Sequence, residues 1–171
     1  MILFFQDEMR AGLQGTLTRV WARIGTRPPA PRQTEYEWGY VFGAICPATG
    51  EMSGLVLPEV NTASMNLFLD TLSEQVGEDR HAVVVLDQAG WHQSQSLQVP
   101  GNLTFVFLPP YSPELNAVER VWEEFRERLS NWVYKNYEEL VDALCHIWNH
   151  YRENPEAIQS LGRNFCLNSH S

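Results

Sequence analysis

Apolar residues at Leu115, Val118, Trp122, Phe125, Leu129 and Trp132 fall at alternating steps of three and four. That spacing is the stripe of an amphipathic helix with one buried face. Pro109, Pro110 and Pro113 lie just ahead of it. They fix φ and remove backbone donors, so the helix is expected to begin only after Pro113. At 3.6 residues per turn Glu119 lies about 85° from the centre of the stripe, which puts an acid at the edge of a buried face. Three continuous apolar runs read as strands buried in a sheet: Ile2 to Gln6, predicted to end at Asp7; Ala82 to Leu86, ending at Asp87; and Leu103 to Leu108. Thr16 to Ile24 and Glu37 to Cys46 are rich in Val, Ile, Thr and aromatics, and Glu51 to Val60 follows across the turn Pro47-Ala48-Thr49-Gly50. These are predicted to be antiparallel strands.

Asn61 is a good N-cap for a helix with Met65, Phe68, Leu69, Leu72 and Val76 on one face, stopped by Gly77. After Trp91 and His92 a short polar segment runs to Gln98, with one short helix expected there. Asn136 and Glu139 have the spacing of a capping box, ahead of a helix with Leu140, Val141, Leu144, Ile147, Trp148 and Tyr151 inward. Pro155 to Leu161 is predicted to be a last short helix closed by Gly162. Neither an internal repeat nor a domain boundary is visible. The order of elements implies an α/β fold, a mixed sheet with helices on its faces. Ligands in such open sheets gather beyond the carboxyl ends of parallel strands.

Composition narrows this. The length of 171 residues suits one domain, and 44% hydrophobic with 12% aromatic content argues for a packed globule. No apolar run approaches a membrane span and no secretory signal is present, so a soluble intracellular protein is expected. Cys46, Cys145 and Cys166 are too scattered for a disulfide framework or a paired zinc site and read as reduced thiols. A formal charge of −9 works against casual attraction to nucleic acid, yet all the basic residues except Lys135 are arginines, the type suited to bidentate phosphate contacts. The proline-rich loop Arg27 to Arg32 faces either phosphate or only solvent.

Asp7, Asp87 and Glu119 are placed by these elements where they could meet. Three carboxylates together repel one another and suffer desolvation unless a hard cation joins them. Oxygen ligands without Cys or His favour Mg²⁺ or Mn²⁺ over Zn²⁺. Two such ions about 4 Å apart suit in-line displacement at phosphorus, that is, phosphodiester hydrolysis or transfer. An acid at a strand end is also common and usually solvated, so spacing alone leaves both readings open.

The strings FFQDE, VVVLDQAGWHQS and LPPYSPELNAVERVW, in this order, closely resemble the catalytic domain of DDE transposases of bacterial insertion sequences related to the mariner group. The resemblance covers nearly the whole chain. It implies a ribonuclease H-like fold, a mixed five-stranded sheet with helices on both faces, in a single catalytic domain over residues 1–171. It implies divalent-metal-dependent cleavage and transfer of DNA strands, with two Mg²⁺, or Mn²⁺ as substitute, held by Asp7, Asp87 and Glu119. The intervals are 87 − 7 = 80 and 119 − 87 = 32 residues, and the short second interval is typical of such enzymes. The position after the second Asp, often Asn, is Gln88, and a common Pro is replaced by Ala117.

The implied partners are double-stranded DNA, as transposon ends and target, and a second copy in a homodimer, in a bacterial cytoplasm at the nucleoid. The helix-turn-helix segment such proteins carry ahead of the first catalytic strand is absent from this sequence, so an upstream-encoded segment is a further expected partner. A non-catalytic remnant and a stand-alone nuclease are the rival readings.

Smaller assignments follow. His92 positions DNA or a water, or caps the short helix. Asn116 orients Glu119 or simply caps its helix. Glu8 points away from Asp7 if the strand continues and reads as structural. Trp122 and Trp132 read as core. Trp91 and Tyr111 stack on bases or form a hydrophobic lid. Arg120, Arg126 and Arg128 reach phosphate or pair with Glu123, Glu124 and Glu127.

Overall fold

A computed structural model of the chain describes residues 1–13, 38–130 and 132–168. The predicted strand Thr16 to Ile24 and the loop Arg27 to Arg32 lie outside the described residues. Strands β1 (Ile2–Gly12), β2 (Trp38–Ile45), β3 (Met52–Leu57), β4 (Ala82–Leu86) and β5 (Leu103–Phe107) form one sheet in the order β3-β2-β1-β4-β5. β2 runs antiparallel to both β1 and β3, while β4 runs parallel to both β1 and β5. Helix α1 (Thr62–Val76) packs on one face through Met65, Phe68, Leu69 and Leu72, against Phe4, Phe42 and Val84. Helices α2 (Val118–Leu129), α3 (Tyr137–Arg152) and α4 (Pro155–Asn168) belong to the core of the other face, with Met9, Val41, Trp122, Phe125, Trp148 and Ile158. No helix among the described residues is long and apolar enough to cross a membrane.

The caps act as their chemistry dictates. The Asn61 side chain accepts from the Ser64 N–H at 2.9 Å, and Gly77 closes α1 at φ 79°. Asn136 accepts from the Glu139 N–H, but Glu139 reaches back to the N–H of Lys135 and not of Asn136, so the box is displaced by one residue.

Four boundaries differ from expectation. β1 does not end at Asp7: it runs five residues further, because residues 8–12 pair with residues 38–42 of β2 after β4 has left off at the pair Phe5 and Val85. β5 is an edge strand and not a buried one, with Val106 and Phe107 exposed. α2 starts only at Val118, after a 3₁₀ turn over Pro113–Leu115, and ends at Leu129; Leu115 and Trp132 therefore fall outside the helix and are exposed, while Val121 completes the buried face. α4 continues past Gly162, whose role is close approach: a Cβ there would stand 2.3 Å from that of Pro47. Cys46 and Cys145 are free thiols, as expected; the side chain of Cys166 lies outside the described residues.

Gly43 faces Asp7 across the β1–β2 ladder, and a Cβ on it would meet the Trp122 ring at 2.5 Å and the Trp148 ring at 3.0 Å. The missing side chain lets the Trp122 indole of α2 approach the sheet closely opposite Asp7. Gly43→Ala is expected to lower stability by about 1–3 kcal/mol, the usual result of overpacking a closed core. Urea unfolding checks it, and an unchanged midpoint would mean that Trp122 yields freely.

Candidate functional site

Asp7 is held by the middle of β1, Asp87 by the residue after β4, and Glu119 by the first turn of α2. Each position follows from local chemistry. β4 is a run of small and branched apolar residues that stops when the loop Gln88-Ala89 begins, and Asp87 turns that corner by accepting the Ala89 N–H at 2.9 Å. Gln88 ties the corner to the end of β5 by donating to the Leu108 carbonyl at 2.9 Å. The prolines then keep the chain out of strand and α-helix, apart from the 3₁₀ turn over Pro113–Leu115, until Asn116, which is extended at φ −101° and ψ 108°. The Asn116 side chain donates to the Gln6 carbonyl at 2.8 Å and accepts from the Val118 N–H at 3.3 Å. It therefore ties the start of α2 to β1, while the N-cap position itself is Ala117 and carries no side-chain cap.

Asp7, Asp87, Glu119 and Asn116 line one open cavity of about 530 Å³, rimmed by Gln88, Ala89 and the segment Leu108 to Pro113. The three expected acids thus face a common space. Among the described residues no three His, Cys, Asp or Glu side chains are gathered closely enough to hold an ion as they stand. Burial pushes the Asp7 carboxyl up from 3.8 to about 7, helped by the charges of Glu8, Glu119 and Asp87, while a hydrogen bond from the Glu8 N–H pulls the other way. Glu119 meets Arg126 at 3.6 Å, an exposed pair whose contribution is small.

His92 contacts the site through its ring. Its ring is buried and bridges two acids: Nδ1 lies 2.8 Å from Asp87 Oδ1, and Nε2 lies 3.0 Å from Glu8 Oε1. Burial alone would lower its pKa; the bond to Glu8 and the charges of Glu8 and Asp87 outweigh it, and the net shift is upward. Glu8, read from the sequence as structural, is therefore a neighbour of the site from behind, and its carboxylate also accepts from Gln6 Nε2 at 2.8 Å. One signal for it was present. Phe4, Gln6 and Glu8 alternate on the buried face of β1, and a polar pair continuing an apolar face needs a partner.

The remaining residues separate. Trp122 is core as expected, and Trp132 is not. Trp91 is half-buried, its indole edge against the His92 ring, whereas Tyr111 is fully exposed on the cavity rim with φ 57°. Arg120 pairs with Glu123 at 3.0 Å; Arg128 instead donates to the Tyr151 hydroxyl, which in turn donates to Glu124.

The cavity stands beside the carboxyl end of a parallel strand in a five-stranded mixed sheet, and known proteins share this fold. The mariner Mos1 paired-end complex with Mg superposes with a TM-score of 0.64 at 14% identity, covering 98% of this chain and 55% of that one, and its fold is ribonuclease H-like. An uncharacterized protein of Sinorhizobium fredii (y4pE/y4sA) is 47% identical over 126 residues, 73% of this chain and 93% of its own length. The uncharacterized 39 kDa protein of insertion element IS630 from Shigella sonnei is 26% identical over 135 residues, 75% of this chain and 38% of its own. This chain therefore spans little more than half of the solved Mos1 chain and less of the insertion-element protein. Residues 2–141 match the profile of the DDE superfamily endonucleases, and the chain belongs to that family.

Proposed function

We propose that this domain cuts and rejoins DNA strands at the ends of an insertion sequence, with divalent metal held by Asp7, Asp87 and Glu119. The observation that carries the proposal is the gathering of these acids on one cavity, where Asp7 is pushed up to about 7 by burial and by the other carboxylates. A set of three oxygen donors, with no cysteine on the cavity and the one nearby histidine turned to Asp87 and Glu8, fits Mg²⁺ or Mn²⁺. Two such ions, when bound, supply positive charge to the attacking and leaving oxygens of a phosphodiester. The chain's own groups do the rest. Asn116 keeps Glu119 at a set distance from Asp7, and the proline-rich rim limits how a strand enters. Tyr111 offers an exposed ring on which a base can stack.

The substrate is double-stranded DNA, as insertion-sequence ends and target. A homodimer gives each of two paired ends its own set of acids, in keeping with the paired-end form of Mos1. A net charge of −9 gives little general pull on a duplex. Recognition of the ends is assigned to a helix-turn-helix segment, in the same polypeptide or a separate one, acting in the bacterial cytoplasm at the nucleoid.

Thermal unfolding in Mg²⁺ or Mn²⁺ tests the site, because an ion that binds only the native state must raise stability, by about 2.7 kcal/mol at one hundred times its dissociation constant. The natural chain is expected to gain stability and Asp87→Ala to gain none. No gain in the natural chain, with and without DNA, would overturn the proposal.

A further inference from the structure

Buried polar side chains are rare in this molecule and they are not scattered. Among the described residues those buried are Gln6, Ser53, His92 and Asn116; Asn116 lines the acid cavity, and Gln6 and His92 stand behind it. Burying such groups is unfavourable unless they are bonded, so their concentration in one place calls for a reason.

They form one continuous series. Asn116, at the start of the helix that carries Glu119, donates to the Gln6 carbonyl at 2.8 Å. The Gln6 amide donates to Glu8 Oε1 at 2.8 Å, and the same oxygen meets His92 Nε2 at 3.0 Å. The other side of the imidazole meets Asp87 Oδ1 at 2.8 Å and the Asp87 carbonyl at 3.2 Å. The series begins beside Glu119, runs along the strand that carries Asp7, and ends on Asp87. It lies largely on the α1 side of the sheet, since Gln6 and Glu8 point away from the face that Asp7 shares with α2.

Its effect on Asp87 can be read from the oxygens. Asp87 is a half-exposed residue at a loop corner, and its carboxylate would otherwise rotate freely. Oδ1 is taken by His92 and by the Ala89 N–H. That fixes the carboxylate plane and leaves Oδ2 unengaged among the described residues. The ring cannot turn away, because Glu8 grips its far nitrogen and Gln6 grips Glu8.

We infer that Glu8 is a positioning residue which, through His92, holds Asp87 in the orientation needed to bind metal. This rests on the reading of Asp87 as a metal ligand. Partners that orient ligating groups are commonly worth 10–100-fold in metal affinity.

Mn²⁺ affinity measured by calorimetry on the purified chain tests it, with circular dichroism to confirm that each variant folds. Glu8→Ala and His92→Phe are each expected to lower affinity about 10–100-fold. The double variant is expected to lose no more than either single one, because both break the same connection. Glu8→Gln, whose amide oxygen can still accept from both the Gln6 amide and the ring N–H, is expected to stay within a few-fold of the natural chain. Equal loss in Glu8→Gln and Glu8→Ala would mean that charge and not bonding matters, and would overturn the inference. So would additive losses, or a Glu8→Ala chain that binds as the natural one does. If the natural chain takes up no Mn²⁺, the metal reading falls, and proton magnetic resonance of the His92 ring decides the rest. A slowly exchanging ring N–H that disappears in Glu8→Ala upholds the grip of Glu8 on the ring, and its absence from the natural chain overturns it.

Discussion

Glu119→Gln is expected to abolish metal-dependent nicking of supercoiled DNA, with a loss of about a thousandfold or more. The estimate follows from the several kilocalories per mole that a correctly held cation contributes to a phosphoryl transition state, at 1.36 kcal/mol per factor of ten. The direction of the result separates this reading from simple electrostatics. Removing a carboxylate from a chain of net charge −9 weakens its repulsion of DNA, so binding should improve slightly while cleavage disappears. Glu123→Gln is the matched control. It removes the same charge one turn along the same helix, from a 60% exposed side chain paired only with Arg120, and it should leave nicking intact. Stability should change little in either variant, since the Glu119–Arg126 pair is long and exposed. Nicking by Glu119→Gln at the natural rate would remove Glu119 from the site.

How much of this was legible in the sequence depends on the range of the interaction concerned. The apolar run Ala82 to Leu86, the capped helix after Asn61 and the hairpin around Thr49 are written in neighbouring residues, and the structure reproduces them closely. The end of β1 was misread because an acid in a strand looked like a terminus. The strand tolerates Asp7 since β4 has already left its side, so one flank of the acid opens on the cavity while the other stays paired to Gly43. Periodicity alone carries the helix stripe three residues too far at each end, to Leu115 and Trp132, and at its start does not know that the Asn116 side chain is held by a carbonyl 110 positions away. Glu8 was missed for the same reason. Its partner His92 is 84 residues distant, so the polar pair Gln6 and Glu8 on an apolar face signals that a partner is needed without saying which residue it is. The three acids themselves became legible as a set through the resemblance of the strings around them, which spacing alone could not have supplied.

Asp7→Asn is expected to make the metal-free chain more stable above neutrality and at the same time incapable of binding metal. The folded protein holds the Asp7 proton up to a pH of about 7, whereas the unfolded chain releases it near 3.8. Between those values the native state binds more protons than the unfolded state, so stability falls as pH rises and levels off once Asp7 is ionised in both. His92, whose pKa is also raised, adds a loss of the same sign as pH climbs through its folded value. Burial is the main cause at Asp7, with the charges of Glu8, Glu119 and Asp87 adding to it, and an amide suffers none of these penalties. The substitution should therefore raise stability at pH 8 on the order of a few kcal/mol. For a chain of this size that is a rise in Tm of roughly 5–10 °C. Mn²⁺ should act on the natural chain in the opposite sense to pH, because the ion binds the ionised carboxylate and displaces its proton. Its apparent affinity should climb as pH passes about 7 and then become flat, and Asp7→Asn should remove the response at every pH. Thermal scans from pH 5 to 9, with and without Mn²⁺, read both effects. An Asp7→Asn chain less stable than the natural one at pH 8 would mean that Asp7 is paired by something that favours its charge, and the cavity would then not be a cation site held open at the expense of stability.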